Sequence, residues 1–187
     1  EFEASVGGGI PILRTIKESL ATNKIKKVYG ILNGTCNYIL SEMESSKDSF
    51  KNVLNRAQKL GYAEPGNPKL DLNGYDAFAK IRILSSLSFN KNISKHKCLM
   101  EGIERIESKD IEIANQLNFK IKLLGITELI NNKLFERVHP CLVKNICCPL
   151  FLYMFYREFF TQIQVKHIIS ITGSKFNIKE CVRSIGG

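Results

Sequence analysis

Apolar residues recur along the first 140 residues with two periods, and each period marks a kind of element. Ile10, Leu13, Ile16 and Leu20 fall at helical spacing behind a glycine loop, Ser5 to Pro11. Pro11 suits the first turn of that helix, and Asn23 is a stop. Lys26 to Leu32 reads as a strand, and Asn33-Gly34-Thr35 as a turn. Thr35 is expected to cap a second helix that buries Tyr38, Ile39 and Met43. Ser49 is expected to cap a third, carrying Phe50, Val53, Leu54 and Leu60 and ended by Gly61. A turn-rich loop spans Pro65 to Gly74, then Asp76 to Phe89 reads as a strong helix and Asp110 to Leu117 as a shorter one. Lys120 to Val143 alternates in two pieces around Asn131-Asn132, a hairpin signal. Beyond about Asn145 the pattern is lost. Cys147-Cys148-Pro149 leads into an aromatic cluster, Phe151 to Phe160, without a clear amphipathic element.

Helices with strands around them make this an α+β chain. Its 187 residues suffice for one domain with a sizeable core. No apolar run reaches the ~18–20 residues of a membrane-spanning helix, so no membrane partner is expected. The net charge of +9 comes from dispersed lysines. Lys24, Lys26 and Lys27 are the densest group, and they lack the aromatic interleaving of a nucleic-acid surface. No nucleic-acid partner is therefore expected. The six cysteines include no CxxC pair, and the histidines His96, His139 and His167 are scattered. Reduced thiols, a cytoplasmic location and no zinc site follow. The chain opens at Glu1 rather than Met, in an apolar context, and is expected to be a fragment.

The densest chemistry lies between Tyr62 and Lys80. Glu64, Asp71 and Asp76 precede Lys80, and Asp76 and Lys80 share one helix face four residues apart. Ile81, Ile83, Leu84 and Leu87 follow. Desolvation against such a wall makes a lysine's proton easier to remove, the property a general acid or base needs. The plainer reading is an exposed ion pair at a helix start. Gly7-Gly8-Gly9 suggests a nucleotide loop but fails as GxGxxG, since Ile12 stands where the third glycine belongs and no strand precedes it. The glycines bring backbone groups near an ion or simply form a tight turn. His139 could act as a base but reads as structural, and no thiol nucleophile is supported.

Five segments taken together resemble homoserine dehydrogenase: EASVGGGIPILRTIKESL, KVYGILNGTCNYIL, AQKLGYAEP, DLNGYDAFAKIRIL and ERVHPCLV. They occur in that family's order and spacing across about residues 2 to 143. The resemblance implies a partial catalytic and dimerisation domain at residues 1–145, with helices packed on a mixed or antiparallel sheet, apparently truncated. Residues 146–187 form a divergent tail, read as the product of a frameshift. It implies interconversion of L-homoserine and L-aspartate 4-semialdehyde with NAD(P), in threonine, methionine and isoleucine biosynthesis, by a homodimer. By the same resemblance Lys80 transfers the proton, while Gly34, Thr35, Tyr62, Glu64, Asp71 and Asp76 surround the substrate. Glu3, Val6, Gly8 and Ile10 match a Na+ loop built on backbone carbonyls, hard ligands for a hard cation. The glycine-rich dinucleotide fingerprint is missing, as are the family's second lysine and its later glycine loop. Gly66-Asn67-Pro68 is one residue longer than the family's Asp-Pro. Loss of the last strands is expected to leave part of the sheet unpaired. Two readings therefore compete: an enzyme that keeps its substrate site, and a non-catalytic remnant or dimerisation module unable to bind coenzyme. A nucleic-acid binder rests on charge alone.

Overall fold

The computed structural model describes residues 3–91, 98–144 and the backbone of 168–172. The expectations for His96, His167, Cys147, Cys148, Cys181 and the aromatic cluster lie outside the described residues. The spine is a hairpin of β3 (Phe119–Ile130) and β4 (Lys133–Lys144), paired from Phe119↔Lys144 to Ile130↔Lys133. Asn131 and Asn132 both take left-handed backbone, at φ 48° and 62°. That pair of conformations matches the twist of the flanking strands, and asparagine tolerates it. β1 (Lys27–Ile31) runs antiparallel to β3, and the two-residue β2 (Leu99–Met100) runs parallel to β4. A fifth strand, β5 (Ile168–Thr172), runs antiparallel to β1 and gives the order β2-β4-β3-β1-β5. Part of the sheet was expected to lie unpaired, and at β1 a strand from the tail segment is paired instead.

Short α1 (Ile12–Arg14) continues as a wide turn through Thr15–Ser19. Helices α2 (Gly34–Ser46), α3 (Phe50–Lys59), α4 (Lys69–Leu72), α5 (Tyr75–Phe89) and α6 (Ser108–Gln116) complete the described elements. The predicted cap of α3 holds: Ser49 Oγ accepts from the Asn52 amide at 3.4 Å. The predicted cap of α2 does not: Asn33, not Thr35, accepts from the Cys36 amide, at 2.8 Å. The core joins Ile39, Leu40 and Met43 of α2 to Val53 and Ala57 of α3. It continues through Ile81 and Leu84 of α5 to Val28, Leu123 and Val138 of the sheet. Each large side chain buried there contributes ~1.5–3 kcal/mol of transfer free energy.

The helices approach the sheet where side chains are smallest. A Cβ on Gly125 would lie 2.7 Å from Leu32 Cδ1 and 3.2 Å from Ile81 Cβ. Beside it, Ser85 and Thr127 exchange a buried hydroxyl hydrogen bond of 2.9 Å. The segment after β2 is clamped between α4 and β4. Glu101 N donates to Val138 O at 2.8 Å, and Ile103 N to Leu72 O at 2.9 Å. Any Cβ on Gly102, between them, would overlap the Leu72 carbonyl. Gly102→Ala is expected to cost about 2 kcal/mol or more of stability, since backbone atoms must move. Thermal or urea unfolding checks this, and a change within 0.5 kcal/mol would contradict the packing.

Part of the lysine excess is spent inside the sheet. Lys27 Nζ and Arg137 Nη2 bind Glu128 at 3.0 and 2.7 Å. Burial pulls the Glu128 carboxyl upward, but hydrogen bonds and charge from Lys27 and Arg137 outweigh it and hold it below its usual value. A carboxyl depressed in the folded state adds stability that is full above its unfolded value and fades as pH falls through the folded one. Stability is thus expected to drop in acid below about pH 4.5, and Glu128→Gln to flatten that drop. Unfolding midpoints across acid pH measure it.

Candidate active site

Three elements converge on one group of polar side chains. β1 leads through Leu32 to Asn33, whose backbone is still extended, at φ −118° and ψ 121°. The side-chain oxygen of Asn33 caps α2, and its nitrogen turns to the other two elements. It donates to Asp71 Oδ1 of α4 at 2.6 Å and to Asp76 Oδ2 of α5 at 2.8 Å. Gly74, at φ 87°, makes the sharp turn that lets α4 and α5 bring both carboxylates to it. Asp76 sits in the first turn of α5, where the helix dipole favours negative charge.

One turn further on, Lys80 Nζ donates to Asp76 Oδ2 at 2.8 Å and to Leu32 O at 3.1 Å. The side chains of Lys80 and Asp76 keep only 21% and 30% of their exposure. The plain alternative, an exposed ion pair, is thus replaced by a half-buried pair inside a network. Of the apolar residues that follow, Ile81 and Leu84 are fully buried in the core. Acceptors, rather than the wall, hold the Lys80 ammonium.

The other predicted site residues surround this group unevenly. Gly34 opens α2, directly after Asn33. Thr35 Oγ1 donates to Tyr62 O at 2.9 Å, which ties α2 to the loop after α3. The Tyr62 ring stacks on Tyr38, with centroids 4.1 Å apart. Glu64 is exposed. Its backbone carbonyl accepts from Gln58 Nε2 at 3.1 Å, and its carboxylate joins none of the cluster's described hydrogen bonds. Asn33 is the residue that sequence reading passed over as part of a turn. An asparagine directly before an apolar helical run is a cap signal that could have drawn attention to it.

Thiol chemistry has little support at the site. Cys36 is fully buried and donates to Asp71 O at 3.1 Å. Burial pushes its thiol far up, and the charges of Asp71 and Asp76 add to that. Cys141 lies 3.4 Å from His139 Nδ1 on β4, yet burial raises its thiol to about 11. In the glycine loop, Gly7 and Gly8 are both left-handed. The carboxylate of Glu3 accepts from the amides of Leu13 and Arg14 at 2.8 and 2.9 Å. The Glu3 side chain therefore holds α1, which leaves its carbonyl as the group for a cation. Val6 is buried and Gly8 exposed, and Ile10 O accepts from Ile12 N at 2.7 Å. Among the described residues no group of three or more His, Cys, Asp or Glu could hold a metal ion. Nor is any described helix long and apolar enough to cross a membrane.

A half-buried lysine on Asp76, tied through Asn33 to Asp71, is carried by helices on the mixed sheet of an α+β domain. The homoserine dehydrogenase family model matches residues 11–149, and the chain belongs to that family. Homoserine dehydrogenase from Helicobacter pylori is 49% identical over 146 residues, which is 78% of this chain and 34% of that protein. The Neisseria gonorrhoeae enzyme is 47% identical over 143 residues, 76% of this chain and 33% of its own. The crystal structure of a homoserine dehydrogenase from Thiobacillus denitrificans superposes with a TM-score of 0.78 at 37% identity. It covers 91% of this chain and 37% of that one. This chain thus spans about a third of the length of the curated relatives it matches.

Cys36 is expected to resist alkylation in the folded chain at pH ~8, where an ordinary free thiol of pKa about 8.5 is partly ionised. Mapping of iodoacetamide adducts would show the Cys36 peptide modified only after denaturation. Rapid labelling of the native chain would contradict the burial described.

Proposed function

We propose that this chain supplies the substrate half of a homoserine dehydrogenase, in a cytoplasmic enzyme of amino-acid biosynthesis that works as a homodimer. The observation that carries the reading is the Lys80–Asp76 pair, tied through Asn33 to Asp71 in a member of that family. Asp71 and Asp76 offer counter-charge to the ammonium of homoserine or aspartate semialdehyde. Gly34, Thr35 and Tyr62 line the approach, and Glu64 reaches the substrate from its exposed loop. Lys80 handles the proton. In the reducing direction its ammonium gives a proton to the aldehyde oxygen as the carbonyl becomes an alcohol, and in the oxidising direction the hydroxyl proton returns to the amine.

NAD(P) is the coenzyme proposed for the assembled enzyme. The glycine loop here does not fit a dinucleotide, because a one-turn helix at Glu3–Ser5 precedes it instead of a strand. No hydride step is therefore assigned to these residues. For Na+, the fit is to carbonyls of Glu3, Val6, Gly8 and Ile10. Glu3 and Ile10 each already accept one amide, and a carbonyl oxygen keeps a second lone pair. The second reading, a module inactive without a coenzyme-binding part, rests on the same misfit of the glycine loop to a dinucleotide.

Mixing the chain with the coenzyme-binding part of a relative separates the two readings. NAD(P)H-dependent reduction of aspartate semialdehyde is expected, and Lys80→Ala is expected to lower it ~10²–10⁴-fold. No turnover by the mixture, with its components folded, would leave the inactive module. Equal turnover by both variants would remove Lys80 from the chemistry.

A further inference from the structure

We infer that Asn33 is a positioning residue: one amide group sets the orientation of Asp71 and Asp76 and, through Asp76, that of Lys80. The inference rests on the proposed substrate site and deepens it.

The Asn33 side chain makes three hydrogen bonds inside the protein, and the residue is only 4% exposed. Its oxygen takes the Cys36 amide, and its two N–H groups are divided between two carboxylates from different helices. Oxygens that share one amide nitrogen in this way lie on the order of 5 Å apart. Two carboxylates that close repel each other. A neutral double donor between them offsets that repulsion without supplying a cation. A lysine or arginine there would compete with Lys80 for Asp76.

The geometry also selects which oxygen Lys80 meets. Asp76 Oδ2 accepts from both Asn33 and Lys80. The amide therefore limits rotation of the Asp76 carboxylate, and that carboxylate holds the ammonium. Lys80 is fixed at a second point by Leu32 O, and Leu32 directly precedes Asn33 in the chain. The end of β1 thus sets the lysine twice, once through a carbonyl and once through the next residue's side chain.

A plain capping role makes the opposite prediction, and Asn33→Ser separates the two. Serine caps a helix about as well as asparagine, but its single short hydroxyl cannot bridge two carboxylates. The ligand-free 187-residue chain carries the first test. Order of the Lys80 side chain, read from 15Nζ and 13Cε relaxation, is expected to fall in Asn33→Ser under conditions where the variant is folded, and the unfolding midpoint to fall with it as the two carboxylates lose their shared donor. Unchanged Lys80 order in a folded variant would overturn the inference whatever the chain binds. L-homoserine titrated calorimetrically carries the second. Asn33→Ser is expected to weaken binding about tenfold, the scale of a lost hydrogen bond to a charged group. Equal affinity in both would also overturn it. If wild type binds no homoserine, the substrate reading fails, and Lys80 order still decides the role of Asn33. Should Asn33→Ser fail to fold, Asn33→Asp keeps the cap but adds a third carboxylate, and the same relaxation measurement applies.

Discussion

Helix α5 has to lie almost on the backbone of β3, and the rest of the structure follows from that contact. Gly125 is the point of closest approach, with Leu32 and Ile81 filling the space a side chain would occupy. Leu32 serves two ends at once: its side chain packs on Gly125, and its carbonyl accepts from Lys80. With Ile81 turned to the sheet, its neighbour Lys80 emerges at the flank of α5, over the end of β1. Sheet packing and site geometry are thus one constraint. A residue larger than glycine at 125 would push α5 outward and carry Lys80 and Asp76 away from Leu32 and Asn33.

The polar cluster is stable because its charges are unequal in number but matched in donors. One of the two carboxylates, Asp76, holds the ammonium, and the remaining negative charge is met by neutral donors: the Asn33 amide and the dipole at the start of α5. Burial first, and the same negative field after it, keep the Cys36 thiol beneath the cluster protonated. A buried thiol donating to the Asp71 carbonyl therefore acts as packing with one hydrogen bond.

Much of the fold was legible because it rests on local rules. The i,i+4 relation of Asp76 and Lys80, the cap at Ser49 and the hairpin at Asn131-Asn132 are all set within a few residues. The structure departs where the deciding partner is distant. Thr35 looked like a cap because its hydroxyl could have served, but a backbone carbonyl 27 residues away takes it. Asn33 looked like a turn residue because its acid partners, 38 and 43 residues on, carry no local signal. The two residues of β2 are too few for any period to appear. Of the apolar residues after Lys80, Ile81 and Leu84 are fully buried in the core, while the hydrogen bonds of the ammonium run to Asp76 and to Leu32, 48 residues back, a partner with no local signal.

The loop after Glu64 divides into an exposed part and a held part. Residues 64–67 are exposed, and Gly66 there is left-handed with open space around it. Past Pro68 the chain is held again. Leu72 is buried, its carbonyl takes the Ile103 amide, and Asp71 is fixed by Asn33. An added residue between these two regimes is absorbed on the solvent side, where backbone conformations cost little. Asp71, Asp76 and Lys80 are thereby insulated from loop length, since each is anchored by contacts outside the loop. Glu64 has no such anchor, and its side chain is the one whose reach depends on loop conformation. The acids and the lysine are thus held from outside the loop, while Glu64 rides on the exposed part of it.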